Sequence, residues 1–173
     1  RSPAVISFLE GEIVEKGPDR VVINVVGVGY ELLVPTSVLG RLPGVGGTAR
    51  VHTRMVVRDD AMMLYGFTAT DERALFDLLT GVSGVGPKVA LSFLSAMTPD
   101  ALRRAVIGGD AAALTVVPGV GTKVAQRVVI DLRDKLGGEA DLVLEGPVAD
   151  VRAALLSLGL TAVEAGEALA GVD

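Results

Sequence analysis

Lys88 and Lys123 occur in the same phrase written twice: SGVGPKVA from Ser83 to Ala90, and PGVGTKVA from Pro118 to Ala125. Each phrase sets Gly-Val-Gly ahead of a lysine two residues on (Gly84, Gly86 and Lys88; Gly119, Gly121 and Lys123), and Arg127 follows the second lysine by one helical turn. Glycines permit backbone with positive φ and close approach of another chain. A helix starting directly after such a turn has unpaired N–H groups and a partial positive charge at its start, which attract an anion. Used twice, the pattern predicts two phosphate cradles at a fixed separation, making backbone contacts without base reading.

Other chemistries fit less well. A nucleotide P-loop needs Gly followed directly by Lys and Ser/Thr, but Gly86 precedes Pro87 and Gly121 precedes Thr122. A dinucleotide fingerprint needs a third glycine, which these turns and Gly27-Val28-Gly29 all lack. The plainest alternative is a tight helix–helix connection with no ligand. Asp59 and Asp60 form an adjacent carboxylate pair in a turn. They read as a solvated hairpin tip, or as a metal or acid–base pair, though the sequence positions no third ligand for the latter. The single histidine, His52, lies in a predicted strand and reads as structural.

Two blocks must position these residues. Val5–Lys16, Val21–Val26, Tyr30–Pro35, Ala49–Val57 and Met62–Phe67 are short apolar or alternating runs bounded by turn signals, and Thr36–Leu42 has room for one helical turn. Five strands in so short a span predict a small closed barrel, since closure removes exposed edges. From Thr70 the period changes to helical. Thr70 is expected to cap a helix carrying Asp71 and Glu72 in its first turn, with Ala74, Leu75, Leu78 and Leu79 inward and a stop at Gly81. Pro87 suits the first position of the next helix. Helices after Thr98-Pro99, near Asp110–Leu114 and over Thr122–Leu136 follow, the last burying Ala125, Val129, Leu132 and Leu136 and presenting Lys123 and Arg127 together. Residues 137–147 read as an acidic linker, and 148–173 as a small helical piece with Val151, Ala154, Leu155 and Leu158 on one stripe.

The formal net charge of −5 conceals an uneven distribution. Ser83 to Leu136 has seven Lys/Arg against four Asp/Glu, while residues 137–173 have one against seven. The positive stretch is the one with both glycine turns, and a phosphate backbone meets that local field. The absence of cysteine excludes disulfides and thiolate metal sites. With no apolar run near the ~18 residues of a membrane span and no secretory signal pattern, a cytoplasmic location and no membrane partner are expected.

In combination, both hairpins, GVGYE (Gly27–Glu31), VVRDDAMMLYGF (Val56–Phe67), ERALFDLL (Glu72–Leu79) and ALLSLGL (Ala154–Leu160) resemble the RuvA family, the DNA-binding subunit of the bacterial Holliday-junction branch-migration complex. The resemblance implies a multidomain β-then-α fold. An OB-fold five-stranded barrel would span 1–66, a tandem helix-hairpin-helix 67–136, and a C-terminal UBA-like helical domain 148–173. It implies a homotetramer, or an octamer, that receives a four-way junction for recombination and repair within the SOS response. The hexameric ATPase RuvB would be the motor partner and a junction-resolving endonuclease a further one, with no catalytic residue, cofactor or metal in this chain.

By position, Gly84, Gly86 and Lys88 match the first hairpin of the family, and Gly119, Gly121, Lys123 and Arg127 the second; Thr122 stands where the family often has a basic residue. Asp59 and Asp60 match the acidic pin, and Leu155, Leu158 and Leu160 match positions that contact the motor. Two departures are expected to reflect how the chain was cut. Residues 1–4 precede Val5-Ile6, where the family begins Met-Ile, and read as a cloning remnant; only two of the usual three C-terminal helices fit before Asp173. The rival reading is a helix-hairpin-helix repair glycosylase or nuclease, which needs a catalytic Lys or Asp in a pocket fed by a larger helical domain. A pure protein-interaction module would show no salt-sensitive DNA affinity.

Overall fold

Alternating side chains along five short strands leave one face apolar, and that face closes on itself. The computed structural model describes residues 5–58 and 61–140. Strands β1 (Phe8–Lys16), β2 (Arg20–Val25), β3 (Val28–Leu33), β4 (Thr48–Val57) and β5 (Met62–Phe67) form a closed barrel in the order β1-β2-β3-β5-β4. Neighbours are antiparallel except β3 and β5, whose parallel pairing (Leu32↔Leu64, Leu33↔Tyr65) needs a crossover. Helix α1 (Thr36–Arg41) and β4 supply it. Leu9, Ile13, Val21, Ile23, Leu32, Val38 and Val51 fill the interior. This is the five-stranded OB-fold arrangement.

The β2–β3 connection falls one residue earlier than the glycines suggest. Val25 pairs with Val28, so the turn is Val26-Gly27, while Val28 and Gly29 already belong to β3. Both turn residues are left-handed, at φ 51° and 88°, and Asn24 Oδ1 accepts the Gly27 N–H at 2.9 Å. Primed hairpin turns require this geometry because it matches strand twist. A β-branched residue there is strained, and Val26 is fully exposed, so packing returns nothing. Val26→Asn is therefore expected to raise stability by about 1 kcal/mol, read as a higher urea midpoint. An unchanged or lower midpoint would show that the valine is not strained.

Helices α2 (Thr70–Thr80), α3 (Pro87–Ala96), α4 (Pro99–Ile107), α5 (Ala111–Leu114) and α6 (Thr122–Ala140) pack around a second core. It contains Leu75, Phe76, Leu79, Phe93, Leu102, Leu114, Val128 and Leu132, and it takes in Tyr65 and Phe67 from β5. The Phe76 ring lies 4.9 Å from that of Tyr65 and 5.2 Å from that of Phe67. Two of the barrel's few aromatic residues are thus spent joining the cores, not displayed for stacking on bases. Burial raises the Tyr65 phenol pKa above its ordinary value.

Four expectations for the helices need correction. Ala69, not Thr70, is the N-cap of α2. The capping task passes to Glu72, whose Oε2 accepts Ala69 N–H, Thr68 N–H and Thr68 Oγ1–H, each at 3.1 Å, while Oε1 accepts from Arg41. Glu72 is 3% exposed, and a carboxylate so buried needs that many donors. Ala74 is exposed and Phe76 takes the inward place. In α6, Val128 is buried and Val129 only half-buried, because i+3 and i+4 are both compatible with the stripe and packing selects one. That helix also runs beyond Leu136, through Gly137 and Gly138 to Ala140. Glycine weakens a helix by about 1 kcal/mol without ending it. Pro87, Thr98 and Asp110 occupy the helix starts expected of them; Thr98 Oγ1 accepts Ala101 N–H at 3.2 Å and Asp110 Oδ1 accepts Ala113 N–H at 3.0 Å.

The helical block is tied to the barrel by polar contacts as well as by the aromatic rings. Arg54 of β4 donates to Asp77 of α2 through Nε at 2.6 Å and again through its second nitrogen. Ser37 Oγ donates to Leu94 O at 2.7 Å, and Arg73 donates to Ser7 O at 2.8 Å.

Candidate nucleic-acid interface

The two glycine turns are built alike, residue by residue, at positions 35 apart (84 and 119, 85 and 120). Val82 N donates to Leu79 O at 3.0 Å and Val117 N to Leu114 O at 3.2 Å; Val85 N donates to Val82 O and Val120 N to Val117 O, both at 3.0 Å. Val82, Val85, Val117 and Val120 are buried and anchor the turns from below. Gly84 and Gly119 are left-handed, at φ 90° and 84°, a conformation only glycine adopts freely. Ala90 N donates to Gly86 O and Ala125 N to Gly121 O, both at 2.9 Å, the first helical bonds of α3 and α6.

Gly86 and Gly121 serve a different purpose. A Cβ on either would meet no protein atom within 4 Å, so internal packing does not demand glycine there. Their exposed side is open to an approaching chain. Gly86 is the N-cap of α3 in extended conformation with no side-chain cap bond, which leaves first-turn amides free for an external acceptor. A helix start with an open glycine ahead of it accommodates a phosphate oxygen.

Lys88, Lys123 and Arg127 are exposed, and among the described residues none lies within ion-pair distance of a carboxylate. Arg41, Arg54 and Arg103, by contrast, are engaged with Glu72, Asp77 and Asp71. The hairpin cations are thus left accessible on the surface, without the carboxylate partner that each of those three arginines has among the described residues. Ser83 and Gly84 of the first turn share one open groove with Lys123, Arg127, Ile130 and Asp131. The fold thus brings the first turn beside the basic residues of the second, which sequence spacing alone does not say. Gln126 also lines that groove and carries no motif that marks it in the sequence.

Pairing of β4 with β5 runs to Val57↔Met62, and Arg58 N donates to Ala61 O at 2.8 Å. Asp59 and Asp60 themselves lie outside the described residues, as do Leu155, Leu158 and Leu160 and the helices expected after residue 148. His52 is half-buried; desolvation, with Arg73 and Arg50 nearby, holds its pKa below the ordinary value, so it is neutral near pH 7. No helix among the described residues is long and apolar enough to cross a membrane.

Comparison with known families and proteins matches this architecture. Residues 6–66 match the RuvA N terminal domain, and residues 76–134 match the SAM-like helix-hairpin-helix tandem. The chain is 46% identical to the Holliday junction branch migration complex subunit RuvA of Rubrobacter xylanophilus, over 97% of this chain and 89% of that protein. It is 47% identical to the protein of that description from Symbiobacterium thermophilum, over 97% and 88%. The corresponding Pseudomonas putida protein is 44% identical over 97% and 89%.

Proposed function

The chain belongs to the RuvA family, and from that premise we propose that it is the non-catalytic subunit that binds four-way junction DNA as a tetramer. It holds the junction open and planar and loads the hexameric ATPase RuvB, which does the work of branch migration. The observation that carries the DNA-binding reading is the doubled turn: two left-handed glycines, two open helix starts and, at matching positions, two exposed lysines with no carboxylate partner among the described residues. Phosphates contact the first-turn amides of α3 and α6 and the ammonium groups of Lys88 and Lys123, with Arg127 alongside. Because these partners are backbone oxygens, binding is indifferent to sequence, as a mobile crossover requires.

Asp59 and Asp60 are proposed to form the acidic pin. Four copies meet at the crossover, repel the phosphates of a continuous duplex and keep separating strands apart. Leu155, Leu158 and Leu160 are proposed to meet the motor. The test is fluorescence anisotropy on a four-way junction and on matched duplex across a salt series. The parent protein should prefer the junction steeply. The double variant Asp59→Asn, Asp60→Asn should bind duplex about tenfold more tightly, consistent with the removal of several unscreened like-charge contacts. Equal binding to both substrates, unmoved by the substitution, would reduce the protein to a general phosphate binder.

A further inference from the structure

Each turn lies beside the helix that follows the other turn. A Cβ on Gly84 would lie 3.8 Å from Cγ2 of Val124, and one on Gly119 would lie 4.0 Å from Cγ2 of Val89. Val89 and Val124 are equivalent residues of the repeat, each the third residue of its helix (Pro87, Lys88, Val89; Thr122, Lys123, Val124). Both are half-buried and pack at the edge of the helical core, unlike Val85 and Val120, which are buried beneath the turns. The proximity is therefore exchanged. The first turn backs onto the neighbour of Lys123, and the second backs onto the neighbour of Lys88.

Gly84 and Gly119 are the left-handed residues that set the path of each turn, and the amides and lysine beyond them inherit that path. Glycine itself has no Cβ, so each γ2 methyl stands just beyond the glycine backbone as its nearest neighbour on that side, and truncating the valine widens the gap into which the turn can shift. We infer that Val89 and Val124 are positioning residues for the opposite phosphate cradle. Val124 holds Gly84, Gly86 and Lys88 in register, and Val89 holds Gly119, Gly121 and Lys123. The two cradles then move as one body, and their separation is set by this crossed pair. The inference rests on the proposal that the hairpin lysines contact phosphate.

Double-mutant cycles on the full chain test it, with junction affinity read by anisotropy and folding by circular dichroism. The crossed pairs, Val124→Ala with Lys88→Ala and Val89→Ala with Lys123→Ala, should be non-additive. Once Lys88 is removed, Val124→Ala should cost about threefold less affinity, or less still, than it costs in the parent. The uncrossed pairs, Val124→Ala with Lys123→Ala and Val89→Ala with Lys88→Ala, should be additive to within about twofold. Val124→Ile retains the γ-methyl and should keep parental affinity. A purely structural valine would lower the melting temperature and couple equally to both lysines. That result, or stronger coupling in the uncrossed pairs, overturns the inference while leaving the phosphate reading intact. Lysine variants that bind as well as the parent would instead remove the phosphate reading itself, and the inference with it.

Discussion

Replacing Lys88 and Lys123 together with alanine is expected to weaken junction binding on the order of a thousandfold or more near 0.1 M salt, and to flatten its salt dependence. Each phosphate neutralised by a cation releases condensed counterions and adds about −0.9 to the slope of log K against log salt. In the proposed tetramer, two phosphate-contacting lysines per chain would account for eight such contacts and a slope contribution of about −7. That slope is the more diagnostic readout, because a generally damaged protein loses affinity without changing how many ions it releases. Both lysines are exposed and without a carboxylate partner among the described residues, so their removal leaves no buried charge and should not disturb the fold. Affinity and slope within twofold of the parent would mean that the turns are only connections between helices.

Most of this interface is legible in the sequence because its determinants are local. A left-handed glycine, a proline at a helix start and a lysine one residue on are dictated by neighbouring backbone, and both turns fold as their spacing predicts. The barrel is legible for a similar reason: alternation and turn residues mark five strands, though Val26-Gly27 turns one residue earlier than expected. What escapes the sequence is set by partners distant along the chain. The burial of Glu72 depends on Arg41, 31 residues away, adding its donor to the local ones of Thr68 and Ala69. Val128 is preferred to Val129 by the shape of the core it enters. The exchange of Val89 and Val124 between turns is invisible until both helices are placed, since each valine looks like an ordinary member of an apolar stripe.

Gly11 shows the same limit at its sharpest, for in the sequence it is one residue between Glu10 and Glu12 inside an alternating run that reads as strand throughout. It stands where β1 changes partners. Phe8 to Glu12 pair with β4, and Glu12 to Lys16 pair with β2, so the strand turns the barrel's corner here. A Cβ on Gly11 would lie 2.1 Å from the backbone oxygen of Asn24 and 3.0 Å from its carbonyl carbon. That oxygen belongs to β2 and has no rotamer by which to retreat, so the strands must part to admit a methyl group. Gly11→Ala is expected to cost about 3 kcal/mol and to lower the melting temperature by roughly 10 °C. Gly40→Ala supplies the contrast. It lies inside α1, an added Cβ there meets nothing within 4 Å, and replacing a helical glycine stabilises by up to about 1 kcal/mol. The same chemical change should therefore carry opposite signs in one barrel. Gly11→Ala parts β1 from β2 and so strains the closed barrel, in which β4 carries Arg54, the partner of Asp77, and leads on to Asp59. On the proposed function, the defect should therefore impair discrimination between junction and duplex before phosphate contact by the hairpins, which rest on the helical core and not on the barrel interior. A melting temperature equal to the parent's would show that the corner opens freely, and that barrel closure does not depend on this glycine.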